Sequence, residues 1–403
     1  MFGKRQHMTV PALTLGVISA VLLISDLPAH GQTETVVHNF ASFPDGYFPR
    51  AGLTSYGGNL YGTTYFGGLK GSQGPGWGTV FELSPNGSGG WNETVIHEFC
   101  SEPDCADGEW PETNLIADSM GNLYGTTAFG GGADCYGGEG CGVAYELSPG
   151  PSGWTFTVLY SFIGNGAGGY PFSALVMDSN GNLYGGAGPA SESGSSVTYE
   201  LSPSAGGWTE QVISNLGCEL TMSASGNLFC VSGSQIFELS PNGNGGWNET
   251  PVYRFSAATS TVVLDQAGNI YGSSSTNEHS MVYKLTPGKK GWTKKTLFTF
   301  GNKKKDGAGS TTLVLDAAGN IYGATVAGGL YGEEQEGLGY GTVFELVPPV
   351  GAGKYTEKVL WNFNGTDGEG PYAGVILDGA GNLYGTTSYG GSLGLGTVFE
   401  VTP

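Results

Sequence analysis

The chain has 403 residues, 74 of them glycine, and a formal net charge of −20. An acidic protein of this kind repels phosphate backbones and anionic lipid headgroups, so its charge argues against nucleic acid and membrane surfaces as partners. Aromatic residues make up 12% of the sequence and supply enough apolar surface for a core, which argues against a disordered glycine-rich chain.

The N-terminal segment has the pattern of a secretory signal peptide. Two basic residues precede an apolar run at residues 11–24, which is too short to cross a bilayer comfortably. Small residues three places and one place before Gln32 predict cleavage after residue 31. No cysteine follows the apolar run and no second such run occurs, so we expect neither a lipid anchor nor membrane insertion once residues 1–31 are removed. We therefore expect residues 32–403 to be secreted, extracellular or held at the cell surface.

One pattern of four strand-like segments is repeated seven times in the remaining chain. Its most regular part is Gly-Asn followed by Leu or Ile and then by Tyr or Phe, which begins at residues 58, 121, 181, 226, 268, 319 and 381. An apolar run precedes this motif, a run such as GTVFELSP follows it, and a β-branched run that usually opens with an aromatic residue comes last. Four antiparallel strands per unit, at spacings of 42 to 63 residues, are typical of β-propeller blades.

The link between the first two strands of a unit is usually Asp-x-x-Gly-Asn, as in residues 316–320. The Asp side chain caps a type I turn and the Gly takes the left-handed position, so the pattern predicts a β-hairpin. These carboxylates lack the dense oxygen spacing of a calcium loop. We therefore predict no metal site, and no cofactor other than an optional calcium ion.

The two ends of the chain predict how the ring closes. Residues 33–40 resemble the fourth strand of a unit, and the chain stops at Pro403 directly after a third strand. The N-terminal strand should therefore complete the last blade beside residues 396–403 and remove an open edge. The predicted fold is all-β: a single seven-bladed β-propeller of four-stranded antiparallel blades over residues 32–403.

Six cysteines in an exported chain predict disulfide bonds. Cys218 and Cys230 flank one predicted hairpin, so a cross-strand bridge fits them. The other four lie in two loops of one unit and none has the tight CxxC spacing of a zinc site. Two pairings remain open for these four: Cys100–Cys105 with Cys135–Cys141, or Cys100–Cys135 with Cys105–Cys141.

The repeated YGTT and GTVFEL runs and the tryptophan-led fourth strand resemble the GloVer-type tandem repeat of exported bacterial proteins. The resemblance covers nearly all of residues 33–403 and is strongest in units one, two, six and seven. It implies an extracellular or surface location, often with a C-terminal sorting anchor, which does not follow Pro403. It brings no catalytic residues that could be carried over.

The candidate binding surface consists of two sets of loops that a propeller presents on one face. The first set precedes the first strand of a unit and often reads Asp-Gly-x-x-Pro, and the second joins the second strand to the third and contains Gly-Gly. Loops on a rigid scaffold usually carry binding function. Carboxylates beside aromatic rings suit sugars, because acids hydrogen-bond hydroxyl groups and rings stack on pyranose faces. Unless Asp-Gly-x-x-Pro is only a turn, the predicted ligand-binding residues are Asp45, Tyr47, Asp107, Trp110, Tyr170, Asp367 and Tyr372.

Other polar residues are interpreted as structural. His38 and His97 occupy a position that holds Tyr, Phe or Trp in other units, so a packed ring is favoured over a catalytic base. A glutamate recurs at one position of the third strand in six units, which a catalytic acid need not do. The basic run at residues 303–305 is interpreted as a solvated loop. No GxSxG, HExxH or phosphate-binding Gly-Lys-Ser/Thr motif is present, and we predict no catalytic residue.

These observations favour a binding module that recognises a glycan or an extracellular protein through the loop surface. One alternative is a polysaccharide-active enzyme, a lyase or a hydrolase, with its site at the central channel. Other propellers host such chemistry, but this support is only an analogy with the fold. Arg50 and Arg254 are the only arginines after residue 31, which argues against an arginine-dependent active site. The other alternative is a structural protein of the cell envelope.

Overall fold

The computed structural model describes residues 32–41, 43–68, 75–135, 137–164, 168–189, 194–275, 280–301, 307–331 and 339–403. These residues form seven antiparallel sheets arranged as the blades of a propeller, which confirms the predicted fold. The predicted signal peptide and the basic run at residues 303–305 lie outside the described residues. No helix in the described part of the chain is long and apolar enough to cross a bilayer.

In four of the seven sheets every strand lies beside the strand that follows it along the chain, so these blades are simple meanders; the third, sixth and seventh sheets depart from this order. The third blade gains a fifth strand from the loop that precedes it, because β10 and β11 both pair with β12. The strands of the first three blades are β2 (Thr54–Tyr56), β3 (Asn59–Thr64), β4 (Thr79–Pro85) and β5 (Trp91–Glu98); β6 (Ile116–Ala117), β7 (Leu123–Thr126), β8 (Val143–Gly150) and β9 (Gly153–Ser161); and β10 (Gly169–Pro171), β11 (Val176–Met177), β12 (Leu183–Gly188), β13 (Val197–Ser204) and β14 (Gly207–Ser214).

The remaining blades repeat this order, and the sixth also gains a fifth strand because β23 and β24 both pair with β25. A single turn of 3-10 helix, Pro103–Cys105, lies between the first two blades. The strands of the fourth to seventh blades are β15 (Glu219–Met222), β16 (Leu228–Ser232), β17 (Gln235–Pro241) and β18 (Trp247–Arg254); β19 (Val263–Leu264), β20 (Ile270–Ser275), β21 (Ser280–Thr286) and β22 (Thr293–Thr299); β23 (Gly307–Ser310), β24 (Val314–Leu315), β25 (Ile321–Gly328), β26 (Thr342–Val347) and β27 (Thr356–Asn362); and β28 (Val375–Leu377), β29 (Leu383–Thr387), β30 (Thr397–Thr402) and β1 (Thr33–Asn39).

Aromatic rings pack across the seams between blades. Phe99, at the end of β5, lies 5.3 Å between ring centroids from Tyr145 in β8 of the next blade, and both side chains are fully buried. Gly125 in β7 leaves room for this ring, since a Cβ there would lie 2.5 Å from the Tyr145 hydroxyl oxygen. The last Gly of Gly-Asn-Leu-Tyr-Gly is therefore required by packing. Equivalent pairs, 4.4 to 5.3 Å apart, are Phe40–Phe81, Phe162–Tyr199, Phe255–Tyr283, Phe300–Phe344 and Phe363–Phe399.

The hairpin between the first two strands has the capped turn that the sequence predicts. One oxygen of Asp316 accepts hydrogen bonds from the backbone N–H groups of Ala318 and Asn320, both at 2.9 Å. The other accepts from Asn320 Nδ2 at 2.7 Å and from the Tyr322 hydroxyl at 3.2 Å. Gly319 is left-handed, with φ of 85°. The turn thus satisfies its own carboxylate, as expected for a structural role.

The recurrent glutamate of the third strand also has structural partners. In the first blade, Glu82 Oε1 accepts hydrogen bonds from Asn59 Nδ2 at 2.5 Å and from the Tyr61 hydroxyl at 3.0 Å. Trp154 of the second blade donates its indole N–H to the other oxygen at 3.4 Å. The glutamate therefore links the hairpin of its own blade to the fourth strand of the next.

The ring closes between the two ends of the chain, as predicted. Strand β1 pairs antiparallel with β30, from Thr33 opposite Thr402 to Asn39 opposite Thr397. The seventh sheet therefore has the order β1-β30-β29-β28, with its outer strand supplied from the start of the described chain. The Phe40 backbone N–H donates to the Gly396 carbonyl at 3.2 Å and continues this pairing.

Three disulfide bonds connect all six cysteines. Cys218–Cys230 joins the start of the fourth blade to β16, as expected for a cross-strand bridge. The two loop pairings are the local ones, Cys100–Cys105 and Cys135–Cys141. The alternative with bonds from Cys100 to Cys135 and from Cys105 to Cys141 is therefore wrong. Three disulfides indicate that the protein resides in an oxidising compartment.

Candidate functional site

The two sets of loops meet on one face of the ring, called the loop face below. In three blades, a residue of the loop before the first strand forms an antiparallel bridge with a residue of the loop after the second strand. These bridges are Tyr47–Phe66, Glu109–Phe129 and Glu369–Tyr389. The backbone thus holds both sets of loops together and positions their side chains.

Three aromatic residues on the loop face have a strained backbone. Phe48, Trp110 and Tyr170 each precede a proline and have φ of 61°, 57° and 54°. The left-handed region disfavours a side chain by roughly 1–2 kcal/mol, whereas glycine adopts it freely, as Gly370 does at the same position of the seventh blade with φ of 64°. Strained conformations of this kind are concentrated at functional sites.

A common backbone contact holds these residues in place. The N–H of Trp110 donates to the carbonyl of Trp77 at 2.8 Å, and the N–H of Tyr170 donates to the carbonyl of Cys141 at 2.9 Å. Phe48 makes the same contact with Leu395 at 3.0 Å. Each acceptor lies just before the third strand of the preceding blade, so neighbouring blades together fix the direction of the aromatic side chain.

The rings form a continuous series across four blades, called the aromatic arc below. Its members are Tyr389, Phe48, Tyr65, Trp110, Phe129 and Tyr170. Consecutive ring centroids lie 4.8, 6.3, 5.6, 5.4 and 5.1 Å apart. All of these side chains remain at least partly exposed, so the arc offers apolar surface on the loop face of the seventh, first, second and third blades.

A charged pair lies at the centre of the aromatic arc. The Arg50 guanidinium carbon lies 4.1 Å from the centroid of the Tyr65 ring, and an Arg50 nitrogen lies 2.6 Å from a Glu112 oxygen. The Tyr170 hydroxyl donates to the other Glu112 oxygen at 2.8 Å. Burial raises the pKa of Tyr170, and the Glu112 carboxylate raises it further, so the phenol stays a hydrogen-bond donor. The site therefore combines apolar rings with fixed polar groups.

A cleft of about 770 Å³ opens beside Trp110. Two tryptophans and four carboxylates are among its lining residues: Trp77, Trp110, Asp104, Glu109, Asp134 and Glu139. Glu109 is only 6% exposed. Burial, together with repulsion from Glu139 and Asp107, raises the pKa of Glu109 to about 7.

The three predicted aspartates lie in the loops and already have partners. Asp107 is 2% exposed and accepts hydrogen bonds from the Ser101 backbone and hydroxyl, at 3.1 and 2.8 Å. Burial alone would raise the pKa of Asp107, but hydrogen bonds from His97 and Ser101 hold it below its usual value. Its carboxylate therefore stabilises the loop in its ionised form, which agrees with the turn interpretation of Asp-Gly-x-x-Pro.

Asp367 and Asp45 also have hydrogen-bond partners within the protein. Asp367 is buried and accepts from the Asn364 backbone at 2.9 Å and from Trp361 Nε1 at 3.1 Å. Asp45 is partly buried, accepts from the Ala41 N–H at 2.9 Å and lies 3.1 Å from His38 Nε2. A role of these two residues in ligand binding stays a prediction, and the site described here does not depend on them.

The histidine of the first blade is a packed ring, as interpreted from the sequence. His97 stacks on Phe156 of the next blade with ring centroids 3.8 Å apart. Its Nε2 lies 3.2 Å from Asp107, so it supports the loop aspartate.

The four predicted aromatic residues all lie on the loop face. Trp110 and Tyr170 belong to the aromatic arc. Tyr47 packs against Phe66 at 5.4 Å and flanks it. Tyr372 is 51% exposed. Burial raises its pKa, and smaller electrostatic effects of Tyr389 and Arg50 on this pKa show that Tyr372 lies near both residues. The structure therefore brings the predicted aromatic residues to one surface.

Sequence reasoning missed Arg50, Glu112 and Glu109. Arg50 and Glu112 follow the loop proline of their units, as Tyr372 does in the last unit. Aligning the loops on that proline would have shown an Arg, a Glu and a Tyr at one position of a conserved backbone. The pairing of Arg50 with Glu112 joins residues 62 positions apart, so it becomes visible only in the folded propeller.

One group of potential metal ligands occurs in the described residues. Atoms of Cys100, Cys105 and Glu109 lie within 4.8 Å of one another. The two sulfurs form a disulfide bond and so are not thiolate ligands. This group gives no support to a metal centre.

The sequence matches a known repeat family. The pattern described as the Gloeobacter/Verrucomicrobia repeat matches residues 23–217 and 222–403. No curated protein matches the sequence.

Solved propeller structures share the fold. A streptogramin B lyase is 14% identical with a TM-score of 0.56, over 92% of this chain and 97% of that one. A catalytically inactive virginiamycin B lyase from Staphylococcus aureus, with quinupristin, is 11% identical with a TM-score of 0.56, over 92% of this chain and 99% of that one. At these identities the similarity concerns the fold alone.

Proposed function

The chain belongs to the Gloeobacter/Verrucomicrobia repeat family, and we propose that it is a secreted or surface-associated binding protein that recognises glycans through the aromatic arc and the adjoining cleft. The three disulfide bonds support a place outside the cytoplasm. The signal-peptide pattern of residues 1–31 supports export.

The observation that carries the proposal is the strained backbone of the aromatic arc. Phe48, Trp110 and Tyr170 occupy a position where the chain uses glycine in the seventh blade, at a cost to stability. Their rings pack only partly and stay accessible on the loop face. Retaining bulky rings under strain is expected where the rings contact a ligand.

The chemistry of the surface favours a sugar among possible ligands. Partly exposed rings offer flat apolar faces, which suit the C–H faces of pyranoses. The Arg50–Glu112 pair and the Glu109 carboxylate supply hydrogen-bond donors and acceptors beside those rings. A few polar groups set into an aromatic surface are typical of small-ligand sites.

A glycan-array screen of the purified protein, with and without calcium, tests the proposal. We expect saturable binding to at least one glycan, and loss of that binding in Trp110→Ala. Because Trp110 also packs on Tyr65 and Trp77, Tyr372→Ala serves as a second variant that removes an exposed ring.

The control for these variants is Met120→Ala. Met120 is 71% exposed and lies in the hairpin turn at the opposite end of the second blade. Its substitution should leave binding unchanged. A negative array in both calcium conditions, or equal loss in Met120→Ala, would contradict glycan recognition by the loop face. Shortened oligosaccharides in the same samples would indicate an enzyme instead.

A further inference from the structure

We propose that the cleft beside Trp110 binds an amino sugar whose charged nitrogen is held by the Glu109 carboxylate, next to the rings of Trp77 and Trp110. This inference rests on the proposed glycan-binding function and specifies the class of glycan. It follows from the charge of the cleft, from an unpaired buried carboxylate and from the position of the two indole rings.

The cleft is strongly acidic. Asp104 and Glu109 lie on the loop before the second blade, and Asp134 and Glu139 lie on the loop after its second strand. No Lys, Arg or His is among the described residues that line it. The nearby Arg50 is paired with Glu112. A cationic ligand would therefore meet an uncompensated negative potential, and an anionic sugar would be repelled.

Glu109 is a buried residue of the cleft whose carboxylate lacks a partner among the described residues. Its backbone N–H pairs with the Phe129 carbonyl at 3.0 Å, but its carboxylate receives no hydrogen bond and no ion pair from the described residues. Two other buried acidic residues, by contrast, are satisfied: Asp107 by Ser101, and Glu345 by Lys358 at 2.9 Å. An unpaired buried charge is unfavourable, so a cation from a ligand would be bound strongly there.

The two tryptophans match the rest of an amino sugar. Trp77 and Trp110 both line the cleft, with ring centroids 5.9 Å apart. Indole faces attract cations and stack on pyranose rings. An amino-sugar ring carries a positive nitrogen for the Glu109 carboxylate and an apolar face for the indole rings.

The seventh blade offers a matched comparison. A cleft of about 530 Å³ lies at the equivalent place and is lined by Glu369 at the repeat position of Glu109. Among the described residues that line it, the aromatic ones are tyrosines, Tyr340 and Tyr389, and the one acidic residue is Glu369. The second blade therefore differs from its counterpart in the features that would select a cation.

Titration calorimetry with two oligosaccharides tests the inference. The first is a β-linked glucosamine oligomer with N-trimethyl groups, whose charge does not depend on pH, and the second is the neutral N-acetylated oligomer of the same length. We expect the cationic oligomer to bind more tightly than the neutral one, and Glu109→Gln to lower that preference several-fold, because Asp104, Asp134 and Glu139 remain in the cleft. Glu369→Gln, at the same repeat position, should keep it.

The pH dependence supplies an independent readout. The groups that act on Glu109 are Asp107 and Glu139, with Asp104 and Asp134 also lining the cleft. A bound cation favours the ionised carboxylate, so binding must displace a proton below the Glu109 pKa of about 7. Affinity for the cationic oligomer should therefore be about tenfold higher one pH unit above that value than one unit below it. In Glu109→Gln the dependence should disappear.

The outcomes separate this inference from the proposed function. Equal binding of both oligomers, or a pH dependence that persists in Glu109→Gln, would overturn the amino-sugar assignment while leaving glycan recognition in place. Binding of calcium alone, dependent on Glu109, would replace it with a metal site. Absence of binding to every glycan on the array would overturn both the amino-sugar assignment and the proposed glycan recognition. The melting temperature of Glu109→Gln should equal or exceed that of the wild type, because the variant removes an unpaired buried carboxylate, and so a loss of binding would not reflect unfolding.

Discussion

The seam at which the ring closes gives a quantitative prediction for Phe40→Ala. Phe40 is fully buried, follows strand β1 and packs against Phe81 of the first blade with ring centroids 5.3 Å apart. Truncation of a buried Phe to Ala destabilises by about 3–5 kcal/mol, from lost burial and from the cavity left behind. For a protein of this size that loss lowers the melting temperature by roughly 4–6 °C.

The assay is thermal unfolding followed by circular dichroism, with Phe255→Ala as the matched control. Phe255 packs on Tyr283 at 4.4 Å across the seam between the fourth and fifth blades, where the chain is continuous. Both variants should lose similar stability, because both remove one ring from equivalent seams. If Phe40→Ala lost less than about 1 kcal/mol while Phe255→Ala lost the full amount, strand β1 would not complete the seventh blade as described.

Three further predictions concern stability. Burial raises the pKa of Glu34 and Glu93 to about 7 from 4.5, so both groups bind protons more tightly in the folded state. The free energy of unfolding should therefore fall as the pH rises from about 4.5 through about 7. Denaturant titrations over this range should show the fall, and it should be smaller in Glu93→Gln. Asp316→Ala removes four hydrogen bonds within one hairpin and should lower the free energy of unfolding by roughly 1–3 kcal/mol in urea, whereas an unchanged midpoint would show that the cap is dispensable. Replacing Cys218 and Cys230 together by serine opens a short loop and should destabilise by about 3 kcal/mol, which the melting temperature of the double variant relative to the wild type under non-reducing conditions will test.

The fold was predictable from the sequence because the pattern of one blade occurs seven times along the chain. The hairpin signal of Asp316 and Gly319 occurs in five of the seven units, and the packing glycine at the position of Gly125 and the aromatic residue at the position of Phe99 each occur in six. Local turn chemistry and strand patterns agree in most units, and the fragment at residues 33–40 completes the count. The repeats therefore allowed strand order and ring closure to be predicted from the sequence alone.

The candidate site was only partly predictable because it is the part that does not repeat. Trp110 and Tyr170 could be selected from aromatic loops, but Arg50 and Glu112 become partners only when two blades lie side by side. The loop aspartates looked available in sequence, yet Asp107 is buried by its own turn. Exposure and pairing depend on packing between blades, which residue order does not encode locally.

Hydrogen exchange measured by mass spectrometry, with and without a glycan identified on the array, would locate the binding surface. We predict that protection is confined to the loops at residues 43–50, 65–68, 75–78, 104–112, 128–135, 137–142, 168–172 and 388–391, which carry the aromatic arc and its cleft. Protection of the hairpin turns at residues 118–122 and 316–320 instead, with the loop face unchanged, would contradict the assignment of ligand binding to the loop face.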